Sequence, residues 1–253
     1  MGLMDFTEDQ LHRYSRHIIL KDIGVQGQEK ILNAKVLIIG VGGLGSPIAL
    51  YLAAAGVGTI GLVDGDHVDL SNLQRQVIHF TSDIGKAKVA SAAEKINALN
   101  PDVNVITHPV LAGEHNMADL IKDYDFIVDA TDNFDSKFLI NDACVLAGKP
   151  FSHGGILGFE GQTLTHVPGA TCYRCIFGAP PPKDAVPTCS QAGVLGAVAG
   201  MLGTIQATEI LKFITGAGEL LTNKLLIFDA ATMNFRTVNI KRNPECRACG
   251  DQT

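Results

Sequence analysis

Positive charge and cysteine are scarce in this sequence, and tryptophan is missing altogether. Its 253 residues carry 20 Lys and Arg against 26 Asp and Glu, a net charge of −6. That balance argues against nucleic acid as the main partner, while leaving room for a local basic pocket. Six cysteines and the lack of an apolar secretion segment point to a reducing cytoplasm. No long apolar run goes uninterrupted. The nearest, Gly193 to Ile214, contains four glycines and is broken by Gln206, Thr208, Glu209 and Lys212, so it reads as a buried helix and not a membrane span. No internal repeat is present.

What the chain does have is an apolar fraction of 46% and 27 glycines, enough for one large α/β unit with a substantial core. Residues 5–33 read as amphipathic helix. Lys35-Val-Leu-Ile-Ile39 is a fully buried strand, Thr59 to Val63 a second, Val103 to Thr107 a third and Phe126 to Asp129 a fourth. Helices fall between them: one opened by Ser46 and Pro47 and ended at Gly56, one from Gly85 to Ala98, one from Met117 to Ile121 and one from Ser136 to Leu146. After Phe151 the pattern changes. Gly161 to Val167 reads as a half-exposed, antiparallel strand, Pro180 to Asp184 as an exposed, mobile loop, and Leu225–Phe228 and Phe235–Ile240 as further strands. The order predicts an α/β fold: a Rossmann-type parallel sheet over residues 34–150, fused to a mixed or antiparallel continuation over 151–253. Helices 5–33 complete what is expected to be one domain.

The first strand runs directly into Gly40-Val-Gly-Gly-Leu-Gly45. Gly40, Gly42 and Gly45 are in G-x-G-x-x-G register, Gly43 lies among them, and the helix that follows offers free N–H groups to a phosphate. Asp64, 24 residues after Gly40 at the end of the second strand, is placed to hold ribose hydroxyls. These features indicate a nucleotide and leave dinucleotide and ATP both open. Arg75 and Lys86, with Asn72 nearby, add a cationic cluster suited to polyphosphate. A hydride-transfer site has no need of one. Asp132, just past the fourth strand, suits Mg²⁺ at the phosphates.

Four of the six cysteines form two Cys-x-x-Cys pairs, Cys172/Cys175 and Cys246/Cys249, separated by 70 residues. Two such pairs complete the tetrahedral thiolate shell of a structural zinc, which would tie the C-terminal segment back to the body of the protein.

Taken together, Arg13-Tyr-Ser-Arg16, Gly40–Gly45, Asp64-Gly-Asp66, Ser71-Asn-Leu-Gln-Arg-Gln76, Asp129-Ala-Thr-Asp-Asn133, Cys172-Tyr-Arg-Cys175 and Asn243-Pro-Glu-Cys-Arg-Ala-Cys249 resemble one family over nearly the whole chain. It comprises the bacterial adenylyltransferases that activate ubiquitin-like sulfur carriers in molybdopterin and thiamine biosynthesis, relatives of the ubiquitin-activating enzymes. The resemblance implies that Asp64 binds ribose, that Asn72, Arg75 and Lys86 surround the phosphates, and that Asp132 serves magnesium and catalysis. It implies that Arg16 reaches the partner subunit's nucleotide in a homodimer and that the paired cysteines hold zinc. The implied substrates are ATP and the Gly-Gly tail of a small β-grasp protein, whose carboxylate attacks the α-phosphorus to give an acyl-adenylate and pyrophosphate.

Cys189 stands outside both pairs. In the thiamine branch the matching cysteine is associated with a covalent sulfur-linked carrier, and in the molybdopterin branch it is not required in the same way, so a reactive role and an ordinary loop cysteine both stay open. Cys144 reads as core. The sequence ends four residues after Cys249, so a separate sulfur donor is expected. Two rival readings remain: an NAD-dependent oxidoreductase, and a noncatalytic zinc-containing protein that binds the carrier.

Overall fold

A computed structural model describes residues 6–182 and 192–251 and shows one eight-stranded sheet in the order β3-β2-β1-β4-β5-β6-β7-β8. The strands are β1 (Lys35–Ile39), β2 (Thr59–Val63), β3 (Asn104–His108), β4 (Phe126–Asp129), β5 (Phe151–Leu157), β6 (Glu160–His166), β7 (Lys224–Asp229) and β8 (Asn234–Asn239). From β3 through β5 every pairing is parallel; from β5 through β8 every pairing is antiparallel. The expected Rossmann-type sheet with an antiparallel extension is therefore present.

The continuous apolar runs have a direct cause. Along β1, Val36 and Ile38 pack into a cluster with Ile48, Leu52, Ile60, Val128 and Leu202. Leu37 and Ile39 enter a second cluster with Val63, Ile127, Phe138 and Phe151. From Val36 to Ile39 both faces of the strand are covered, so none of these positions tolerates water, and each such aliphatic side chain contributes about 1.5–3 kcal/mol by leaving water.

Helices α4 (Gly45–Ala55), α5 (Lys88–Leu99), α6 (Met117–Ile121), α7 (Phe134–Leu146), α8 (Tyr173–Phe177) and α9 (Gly196–Thr215) cover the sheet. By length and composition α9 is apolar enough to cross a membrane. It packs instead on the helix Gly24–Asn33, α4, β5 and β6, and its buried Glu209 accepts hydrogen bonds from Thr165 Oγ1 and Leu221 N at 2.7 Å each. Glu209 and Gln206 are both inside the fold, as the sequence predicts for a core helix.

Three expectations are corrected. Residues 5–33 do not form a continuous helix; they break into α1 (Glu8–Arg13), α2 (Ser15–Ile18) and α3 (Gly24–Asn33). Tyr14 sits at the first break, fully buried, with its hydroxyl accepting from Asn100 Nδ2 at 2.9 Å. Docking that ring outweighs helix continuity, and Gly24 at φ +61 marks the second break. The helix expected from Gly85 begins at Lys88, because residues 85–88 pair back on 66–68: Gly85 N donates to Val68 O, Val68 N to Lys86 O and Lys88 N to Asp66 O, all at 2.8–2.9 Å. Strand β6 is more buried than expected, since α9 covers it.

Candidate active site

The register of the sheet sets the site. Val63, Ile39, Asp129 and His153 lie side by side across β2, β1, β4 and β5, so the loops leaving these strands emerge together. Between β1 and β4 the strand order reverses, which opens a crevice where ligands bind in such sheets. The crevice is a cleft of about 210 Å³ lined by Gly40, Gly42, Gly43, Asp64, Arg75 and Asp132, among others.

The glycine loop is shaped by two tight approaches. Gly40 has φ +94, and a Cβ on Gly45 would stand 2.0 Å from the Gly40 carbonyl oxygen. The expected cap by Ser46 is not made. Ser46 lies inside α4, and its hydroxyl donates to Gly42 O at 2.7 Å. The first turn of α4 has no side-chain cap. Ser46 N donates to Gly42 O at 2.9 Å, Ile48 N to Leu44 O at 3.4 Å, and Pro47 has no N–H, so Gly45 N is the donor this turn leaves to an anion. Asp64 braces the loop: Oδ2 accepts from Val41 N at 2.8 Å and Oδ1 from Asp66 N at 2.9 Å. Each oxygen retains a lone pair for a hydroxyl.

The cationic residues divide. Arg75 lines the cleft, its guanidinium held by Ser71 O at 3.1 Å. Lys86 does not; its ammonium is ion-paired outside with Asp83 and Glu94 at 3.2 and 3.0 Å. Lys88, which the sequence reading did not select, lines the cleft beside Asp66 at 2.8 Å. The signal was Gly85: with φ +87 it closes a turn, so the helix and its inward lysine start after it. Gln76 was also passed over. It is buried against the cleft, and its Oε1 has no partner among the described residues. Asn72 does not line the cleft; it closes a 3₁₀ turn, where its Oδ1 accepts from Asp69 N at 3.3 Å. Arg16 is exposed on α2, away from the cleft of its own chain. Cys189 lies outside the described residues.

Asp129 and Asp132 have opposite surroundings. Asp129 is 1% exposed and receives Lys137 Nζ at 3.2 Å, His153 Nδ1 at 2.8 Å and Thr131 Oγ1 at 2.6 Å. Burial by itself would raise its pKa, but the Lys137 charge and these hydrogen bonds hold it at about 2. Asp132 is exposed, and its carboxylate has no hydrogen bond or ion pair among the described residues. That leaves it open to a hard cation. It also lines a second trough of about 330 Å³, floored by β5 and β6 and continuous with the cleft through Thr131, Asn133 and Ile156.

Beyond the trough the four paired cysteines converge. Their Sγ atoms all lie within 4.8 Å of one another, with Cys172–Cys246 at 3.6 Å, Cys172–Cys175 at 3.9 Å and Cys175–Cys249 at 3.3 Å. Thiolates about 2.3 Å from a tetrahedral zinc stand roughly 3.8 Å apart, so the donor set fits that ion. Cys144 is buried in the core on α7.

Comparison with known proteins agrees with this arrangement. Residues 14–248 match the ThiF family. A protein of Mycobacterium tuberculosis called probable adenylyltransferase/sulfurtransferase MoeZ is 49% identical over 94% of this chain, which spans only 62% of that relative, and about half the length of others. The sulfur carrier protein adenylyltransferase of Thermus thermophilus is 44% identical over 98% of this chain and 94% of its own. The crystal structure of E. coli MccB with ATP superposes with a TM-score of 0.84 at 26% identity, covering 94% of this chain and 75% of that one. With a family match over almost its full length and a shared fold, the chain belongs to the ThiF family.

Proposed function

We propose that the protein adenylylates the C-terminal carboxylate of a small ubiquitin-like sulfur carrier, with ATP in the glycine-loop cleft and the carrier's tail in the adjoining trough. One observation carries this reading: the unpartnered carboxylate of Asp132 stands where the two spaces meet. The relatives' names supply the substrate class. A tail carboxylate oxygen attacks the α-phosphorus, the bond to the β-phosphate oxygen breaks, and acyl-adenylate and pyrophosphate form.

Both reactants are anionic, so charge neutralisation and alignment lower the barrier. Asp64 holds the ribose, the α4 N-terminus and Arg75 hold phosphate oxygens, and Lys88 takes the place that the sequence assigned to Lys86. Asp132 would hold Mg²⁺, which when bound offsets phosphate charge. Arg16, turned outward on α2, serves the cleft of a second copy in a homodimer. Zinc on Cys172, Cys175, Cys246 and Cys249 is a brace.

Pyrophosphate exchange into ATP tests the reading. Exchange should require a carrier with a free C-terminal carboxylate and vanish with the amidated carrier. Its absence with every Gly-Gly-terminated carrier of the source cell would overturn the assignment.

A further inference from the structure

His153 carries a buried atom that the chemistry above does not use. The ring is 1% exposed, and its Nδ1 lies 2.8 Å from Asp129 Oδ2. Asp129 is an ionised carboxylate and can only accept, so Nδ1 carries the proton. Burial and the neighbouring Lys137 charge work against a second proton on the ring, which leaves Nε2 a bare acceptor. That atom has no hydrogen-bond partner among the described residues, and His153 lines the trough beside Asp132.

The surroundings fix the ring and close Nε2 off from solvent at the trough wall. Tyr173 packs against it with ring centroids 4.4 Å apart. Lys137 is fully engaged by Asp129, Thr131 O and Gly154 O, so it cannot turn to serve Nε2. Gly155 lies on the same face of β5; a Cβ there would stand 3.4 Å from Nε2 and from Gln162. The missing side chain leaves about a methyl's space beside Nε2. A buried acceptor left unmade is costly, and a glycine tail, with no Cβ of its own, is the peptide best able to bring an amide N–H that deep.

Resting on the reading of the trough as the tail site, we propose that His153 Nε2 accepts a backbone N–H from one of the last two residues of the carrier tail, with Asp129 fixing the tautomer and Gly155 the access. His153 is then a tail-binding residue that sets the terminal carboxylate in line with the α-phosphorus.

Amide-to-ester carriers provide the test. Semisynthetic carriers with the terminal or the penultimate amide N–H replaced by ester oxygen are compared with the all-amide carrier by pyrophosphate exchange. With wild-type protein, one ester carrier should lose about tenfold in kcat/KM. In His153→Ala the same ester should cost less than about twofold, because the acceptor is gone. Gly155→Ala, whose added methyl makes only ordinary contacts and so spares the fold, should raise KM for the carrier about tenfold and leave KM for ATP unchanged. An ester penalty of equal size in wild type and His153→Ala, or no penalty with either ester, overturns the proposal while leaving adenylylation standing. No exchange with the all-amide carrier overturns both.

Discussion

The two halves of the sheet are held together by different means. In the parallel half, β1, β2 and β4 are buried along almost their whole length, and the glycine-loop cleft is built on their ends. In the antiparallel half, β7 is only partly covered and β8 is exposed at every position. The parallel half needs no staple. The antiparallel half has four cysteines drawn together at its margin, and Tyr173, next to Cys172, reaches from that cluster to His153. Burial fixes β1, β2 and β4, whereas the exposed margin at β7 and β8 depends on the cysteine brace if those residues hold the proposed zinc. The proposed nucleotide site should then depend on charge at a few open positions, and the proposed tail site on the brace behind it.

The largest effect expected is on chemistry. Asp132→Ala removes an exposed carboxylate with no partner among the described residues, so thermal stability should stay unchanged. Carrier-dependent pyrophosphate exchange should fall about 10²- to 10³-fold. A fall of less than tenfold would mean that the junction of the two spaces is not where the reaction occurs.

Lys137→Met attacks the seam between the halves. It leaves Asp129 buried beside His153 without its cation, which costs about 3–5 kcal/mol and shows as a lowered midpoint in denaturant. The wild-type pair also has a signature in pH. Asp129 is held at about 2 against an ordinary 3.8, so its folded-state pKa is depressed. Its stabilisation is therefore complete above about pH 4 and is lost as pH falls towards 2. Unfolding curves for wild type and Asp129→Asn should diverge above that window and converge below it.

Disrupting the cysteine cluster should cost less and act on one half. Cys246→Ser, or metal removal verified by elemental analysis, is expected to lower stability by about 3 kcal/mol, roughly 6–12 °C at this chain length. Because the cleft is built on the parallel half, ATP affinity should change less than twofold, while KM for the carrier rises. Equal loss of both would show that the halves are not separable in this way.

The same contrast explains what could be read from sequence. Strands β1, β2 and β4, with both faces buried, appear as unbroken apolar runs, and the turn from β1 into Gly40–Gly45 is fixed by local backbone demands. The cysteine pairs were legible because their spacing is itself the chemistry. Tyr14 was not: its docking on Asn100 is 86 residues distant, and no helical periodicity records it. Strand β5 was missed because Ser152, His153, Gly154 and Gly155 look polar or weak in sequence. Ser152, His153 and Gly154 are buried only through α9, Asp129 and Tyr173.

Lys86 and Lys88 give the smallest and most discriminating test. Two residues apart and chemically identical, they were indistinguishable until residues 85–88 were seen to pair with 66–68. That pairing sends Lys86 outward to Glu94 and Asp83, where solvent screens the ion pair, and brings Lys88 to the cleft wall, nearly buried beside Asp66. Lys88→Ala should raise KM for ATP or lower kcat about tenfold or more. Lys86→Ala should stay within about twofold of wild type on both. The opposite pattern would mean that Lys86 and not Lys88 serves the phosphates, and it would break the division between the two lysines.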